Sequence, residues 1–134
     1  MLRVGFVGSG LIAWAHGLSL KAMIDGGVVD AAIVAVHDRR EHRARGFAET
    51  LAADDVDVVA DAAEVARRCD AVWVCTPTSA HRGAVDDALA TGCAVFCEKP
   101  LDVDLARARS SPTSWGGGRG PAACRCHAGN CPSC

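Results

Sequence analysis

The chain has 134 residues, half of them apolar and 22% charged, with a net charge of −2; this length and balance fit one soluble domain built on one core. No apolar run approaches the roughly 18 residues that span a bilayer, and the small net charge suggests no basic surface for nucleic acid or an anionic membrane, although every acidic residue lies at or before Asp104. The opening Met1 to Phe6 is too short, and meets glycine too soon, to be a secretory signal, so a cytoplasmic protein is expected.

Leu2 to Val7 is a short β-branched and aromatic run ending in glycines, the pattern of a buried strand. Leu11 to Ile24 follows with helical spacing, Leu11, Ala15, Leu18 and Ala22 sharing one face, until Gly26-Gly27 stops it. Ala31 to Val36 reads as a second strand and Glu41 to Leu51 as a charged amphipathic helix. Val56 to Val59 is a weak third strand, Ala62 to Arg68 a short helix, and Ala71 to Cys75 a clear fourth strand. Thr76-Pro77-Thr78 interrupts the chain before a helix over His81 to Thr91, closed by Gly92. Ala94 to Cys97 is a fifth strand, and Asp102 caps a further helix through Leu105 and Ala108. Strands alternating with helices of these lengths predict an α/β fold, a doubly wound parallel sheet of about five strands. The strands are continuous apolar runs, which suits burial on both faces.

Gly8-Ser9-Gly10-Leu11-Ile12-Ala13 stands between the first strand and the first helix, where Gly-x-Gly-x-x-Ala is a form of the dinucleotide fingerprint. Gly8 permits the tight turn, Gly10 keeps a Cβ out of the way of a pyrophosphate, and Ala13 allows close packing of helix on strand. The helix start at Leu11 and Ile12 offers unpaired N–H groups and positive partial charge to phosphates. Asp38, at the end of the second strand, is placed to accept hydrogen bonds from ribose hydroxyls, and its charge disfavours a 2′-phosphate. Arg39 and Arg40 follow at once and pair readily with phosphate. The expected cofactor is therefore NAD or NADP, with NAD favoured; the plain alternative for Asp38 is a solvated loop carboxylate. Thr76, Pro77 and His81 follow the fourth strand, and Glu98-Lys99-Pro100 the fifth, on the carboxyl edge where open α/β sheets bind ligands. Lys99 there is a candidate catalytic residue, able to stabilise negative charge on a substrate oxygen. The competing reading is a surface lysine beside a salt-bridging Glu98.

The first turn, Val-Trp-Val-Cys-Thr-Pro-Thr-Ser-Ala-His at 72–81 and Cys-Glu-Lys-Pro-Leu at 97–101 together resemble the Gfo/Idh/MocA oxidoreductases over Met1 to about Arg109. The resemblance implies a Rossmann-type domain using NAD or NADP and acting on sugars, polyols or related alcohols. It implies too that Lys99 lies near nicotinamide and substrate, that Lys99–Pro100 is cis, that His81 lies toward the nicotinamide end, and that Glu98 holds the Lys99 loop. Members of that family are more than twice as long, and a second α/β domain supplies their substrate pocket. Nothing in this sequence matches that domain. The expectation is a dinucleotide-binding domain over 1–109, truncated before the substrate domain and catalytically incomplete.

From Ser110 the composition changes to five Gly, three Pro, four Ser and four Cys in 25 residues, too little apolar content to offset ordering. A disordered tail is expected, of the composition that GC-rich DNA yields when read out of frame; translating the gene across this region in all three frames tests that reading. Cys124, Cys126, His127, Cys131 and Cys134 also offer soft ligands, but the Cys124-x-Cys126 spacing is tighter than a zinc site usually has, so no metal is assigned. Two other readings remain: a nucleotide-sensing module whose tail binds a partner or zinc, and a poorly folding product whose fifth strand is an uncovered edge.

Overall fold

The computed structural model describes residues 1–51, 55–100 and 102–104. Its elements run β1 (Leu2–Val7), α1 (Leu11–Asp25), β2 (Ala31–His37), α2 (Glu41–Leu51), β3 (Asp57–Val58), α3 (Ala62–Arg68), β4 (Ala71–Val74), α4 (Thr78–Ala90) and β5 (Ala94–Cys97). All strand pairs are parallel and the sheet order is β3-β2-β1-β4-β5. The chain thus winds outward in one direction from β1 and then returns to start again at β4. Right-handed crossovers on the two sides of that reversal put helices on opposite faces of the sheet. Accordingly, α1 and α2 bury Ala13, Leu20, Phe47 and Leu51 with Phe6 on one face, and α3 and α4 bury Val65, Ala84 and Val85 with Val72 and Val74 on the other. The expected doubly wound α/β sheet is present.

Phe6, Trp73 and Phe96 are register partners on β1, β4 and β5 and form an aromatic row across the α1 face. Phe6 stacks on Trp73 at 5.7 Å, Trp73 lies 5.2 Å from Phe96, and Phe47 of α2 meets Phe6 edge-on at 5.1 Å; these separations are typical of attractive aromatic pairs.

The apolar stripe expected on α1 is corrected by the structure. Leu11 is 90% exposed and Leu18 49% exposed, and Ala15 and Ala22 also face solvent; the buried residues are Ala13, Gly17 and Leu20. The helix is apolar nearly all round, so spacing did not discriminate between faces, and close approach to α2 decided instead. A Cβ on Gly17 would stand 2.3 Å from Leu51 Cδ1 and 2.9 Å from Phe47 Cζ, so only a glycine face fits there. The start of α4 is also corrected: the helix begins at Thr78, not His81, because Pro77 with φ −58° serves as its N-cap and its carbonyl accepts the Ala80 N–H at 2.8 Å. The third strand is shorter than expected, although the Val59 N–H to Val36 carbonyl bond extends its ladder. The α3 boundaries match, fixed by Asp61, whose side chain accepts the Glu64 N–H, a capping arrangement.

Cys69, Cys75, Cys93 and Cys97 are buried and form no disulfide with one another. Burial pushes the thiols of Cys69 and Cys75 up to about 12, so they stay protonated and act as small apolar residues. The Cys93 thiol donates toward the carbonyls of Ala66 and Cys69. Among the described residues, no helix is long and apolar enough to cross a membrane. The expected helix through Leu105 and Ala108, the 110–134 tail and its cysteines lie outside the described residues.

Two glycines separate packing from conformational freedom. A Cβ on Gly5 would meet Val65 Cγ1 at 2.4 Å and Cys69 Sγ at 2.6 Å, whereas one on Gly46 meets nothing within 4 Å. Gly5→Ala is expected to lower unfolding free energy by about 1–3 kcal/mol through overpacking. Gly46→Ala, inside α2, is expected to raise it by roughly 0.5–1 kcal/mol. Urea unfolding of the two variants checks both signs.

Candidate cofactor site

Parallel pairing in register sets the site. Val7 is opposite both His37 and Val74, and Val74 is opposite Cys97, so β1, β2, β4 and β5 end in one row. The residues that follow them, Gly8–Gly10, Asp38–Arg39, Thr76–Pro77 and Glu98–Lys99, all leave the sheet along the same carboxyl edge. The reversal in strand order falls between β1 and β4, where such sheets open a crevice for ligands.

The first turn is tight because Gly8 is a glycine. Its φ is +91°, and a Cβ there would lie 2.7 Å from the Cys75 carbonyl oxygen and 2.8 Å from the Thr76 nitrogen, so a side chain is excluded both by conformation and by the end of β4. Gly10 differs: a Cβ added to it would meet nothing within 4 Å. It borders open space at the head of α1. Gly10 is the N-cap of α1 and supplies no side-chain cap, and the first turn carries no acidic residue. The first-turn N–H groups at Leu11 and Ile12 therefore sit at a positive helix end suited to an anion. Ala13 is fully buried, which brings the helix close to the sheet.

Asp38 lies one residue beyond β2 and is tied to the fingerprint turn. Its Oδ2 accepts the Ser9 N–H at 2.8 Å and the Ser9 hydroxyl at 2.9 Å, and its Oδ1 accepts the Arg40 N–H at 2.8 Å. Partial burial works against the charge, but the hydrogen bonds from Arg40 and Ser9 and the nearby Arg43 outweigh it and hold the carboxyl below its ordinary value of 3.8. A solvated loop carboxylate would have no such set of donors. Arg39 and Arg40 are exposed beside it.

Across the crevice, Thr76 Oγ1 is buried without a hydrogen-bond partner. His81 is 1% exposed, with Nε2 2.7 Å from the Thr76 carbonyl and Nδ1 2.9 Å from the Pro100 carbonyl. Both of its ring nitrogens thus face backbone carbonyls, and the ring lies between the turn after β4 and the loop after β5. The Lys99–Pro100 bond is cis. Lys99 is exposed, and its N–H faces Glu98 Oε2 at 3.3 Å. Glu98 Oε1 in turn lies 2.5 Å from Nε2 of His16 on α1. His16 carries no spacing signal in the sequence, and its partner is 82 residues away, so sequence reasoning missed it. The hint was an ionisable residue in the first half of a helix whose other ionisable residues, Lys21 and Asp25, stand near its end. A separate hollow of about 550 Å³, lined by Arg3, Cys69, Asp70 and Gly92 among others, lies at the opposite edge of the sheet. Of its charged lining residues, Arg3 pairs with Asp70 and Arg67 with Asp61, and it lies away from the glycine turn.

These residues fit a dinucleotide: a tight glycine turn, open space at Gly10, an uncapped helix head and an ordered carboxylate at the end of β2. A family model described as an oxidoreductase family with an NAD-binding Rossmann fold matches residues 2–111. The chain belongs to the Gfo/Idh/MocA family. An inositol 2-dehydrogenase of Rhizobium meliloti is 35% identical over 109 residues, covering 81% of this chain and 31% of that protein. A myo-inositol 2-dehydrogenase of Thermotoga maritima is 37% identical over 110 residues, with 78% and 30% covered. Among solved structures, the myo-inositol dehydrogenase of Lactobacillus casei in complex with NAD(H) and myo-inositol superposes with a TM-score of 0.71 at 28% identity, over 82% of this chain and 32% of that one. The chain therefore spans about a third of the length of these relatives. It carries the NAD(P)-binding Rossmann domain of the family.

The lowered Asp38 carboxyl makes a signed prediction. A carboxylate whose folded value lies below its unfolded one stabilises the fold above the unfolded value, and that contribution is lost as pH falls through the folded one. Asp38→Asn is expected to be less stable than the parent chain at pH 7. The gap should shrink once pH drops below 3.8, the ordinary carboxyl value. Denaturant midpoints measured at both pH values check it; a gap that stays constant contradicts the assignment.

Proposed function

We propose that this chain is the cofactor-binding part of an NAD-dependent dehydrogenase acting on cyclic polyols such as inositol, with residues 1–109 as the dinucleotide-binding unit. The observation that carries the cofactor reading is the lock between Ser9 and Asp38, which keeps an ionised carboxylate beside the fingerprint turn. In this reading Gly8, Gly10, Leu11 and Ile12 hold the pyrophosphate. Asp38 takes the adenosine ribose, with Arg39 alongside. Thr76, Pro77, His81 and Glu98 form and support the crevice toward the nicotinamide end. An ionised Asp38 repels a 2′-phosphate, which favours NAD over NADP.

The nicotinamide, when bound, supplies hydride acceptance. Lys99 holds the negative charge that builds on the substrate oxygen while a base supplied from outside the matched region takes the hydroxyl proton, an electrostatic role that its exposed ammonium at the carboxyl edge can fill. Glu98 and His81 are engaged with His16 and with two carbonyls, so their part is support. The polyol itself is supported by the names of the relatives, which are inositol dehydrogenases over the matched third of their length. Much of the rate in such a reaction comes from orienting the substrate, and that task falls to regions beyond the matched third.

Titration of the 134-residue chain with NADH, followed by nucleotide fluorescence, should give saturable one-site binding at least about tenfold tighter than NADPH. A Cβ on Gly10 meets nothing within 4 Å, so Gly10→Val starts into open space, should fold normally, and should weaken NADH by at least about tenfold. Equal affinity for both nucleotides would remove the role given to Asp38, and undiminished binding by Gly10→Val would remove the pyrophosphate site.

A further inference from the structure

We infer that His16 is a positioning residue for Lys99, acting through Glu98, so that the helix whose head forms the fingerprint turn and the loop that carries Lys99 are held as one unit. This rests on the reading of Lys99 given above. The geometry consists of two linked contacts. His16 Nε2 donates to Glu98 Oε1 at 2.5 Å, and the other oxygen of the same carboxylate faces the Lys99 N–H at 3.3 Å. The side chains of His16 and Glu98 are 28% and 17% exposed, sheltered enough for a charge-assisted hydrogen bond to outweigh its exposed equivalent. The ring itself is fixed by the aromatic row, edge-on to Phe96 at 5.4 Å and tilted against Trp73 at 6.2 Å. Packing therefore aims the imidazole, and the imidazole aims the carboxylate. From the opposite side, His81 Nδ1 lies 2.9 Å from the Pro100 carbonyl, so the Lys99 backbone has a contact at both neighbours.

The joint spans two ligand-facing features. Gly10 heads α1 and His16 stands further along the same helix, so a rigid α1 links the phosphate turn to the Lys99 loop. Ordering of one end then favours ordering of the other, and the coupling is reciprocal.

The test compares two replacements of His16 in the full 134-residue chain by amide hydrogen exchange. His16→Phe keeps an aromatic ring against Trp73 and Phe96 but removes the donor; His16→Gln loses the ring but keeps an N–H near the same place. Positioning predicts that the Lys99 amide exchanges about tenfold faster in His16→Phe, the loss expected for a hydrogen bond to a charged group. It predicts return to near the parent rate in His16→Gln, with Ile33 and Val36 of β2 unchanged throughout. A packing role alone predicts the reverse ranking, and that result, or equal loosening by both variants, overturns the inference. A second measurement needs no change at His16. Glu98→Gln should move the His16 ring nitrogen resonances and leave those of His37 and His42 in place; unmoved His16 signals overturn it as well. Both arms are read without nucleotide, so a failure to bind NAD would leave their outcome standing.

Discussion

The backbone of Gly8 passes so close to the end of β4 that no side chain can stand there, and the rest of the site depends on that approach. Because the chain turns at once after β1, Gly10 becomes the first residue of α1's cap and the helix points its positive end along the carboxyl edge. Because the turn is tight, Ser9 reaches Asp38 from β2. Because α1 then lies close on the sheet, His16 reaches Glu98 after β5. One glycine conformation thus brings together residues from three strands.

The parallel register does the remaining work. Four strands ending in one row place their following residues at one edge without any long loop to carry them. The cost of such a sheet is that both faces must be covered, and the aromatic row of Phe6, Trp73 and Phe96 serves this on the α1 side. The same row reappears at the site, since it is the surface that seats the His16 ring. Core packing and site geometry are therefore one structure here, and a loss of packing under α1 would be felt at Lys99.

What could be read from the sequence was what backbone chemistry dictates locally. The fingerprint glycines, the acidic residue after β2, the alternation of strand and helix, and the Lys99–Pro100 loop all stand in contiguous stretches whose residue types have few other uses. The failures were of a different kind. The buried face of α1 was misread because apolar residues surround the helix and Gly17, which carries no hydrophobic signal, marks the true contact. The start of α4 was misread because Pro77 was taken as a break when it acts as a cap. His16 was missed because its partner, Glu98, lies 82 residues away. Each of these depends on contacts between distant segments, which spacing along the chain does not encode.

We propose that the carboxyl edge, from Gly8 through Asp38 to Lys99, forms one dinucleotide cradle. The most direct measurement is a backbone amide shift map of the 134-residue chain with and without NAD. The account predicts the largest changes at Ser9, Gly10, Leu11 and Ile12, further changes at Asp38 and Arg39, and a smaller response at Lys99 carried through the His16–Glu98 joint. Changes confined to the opposite edge, around Arg3, Asp70 and Gly92, or no saturable change at all, would contradict it.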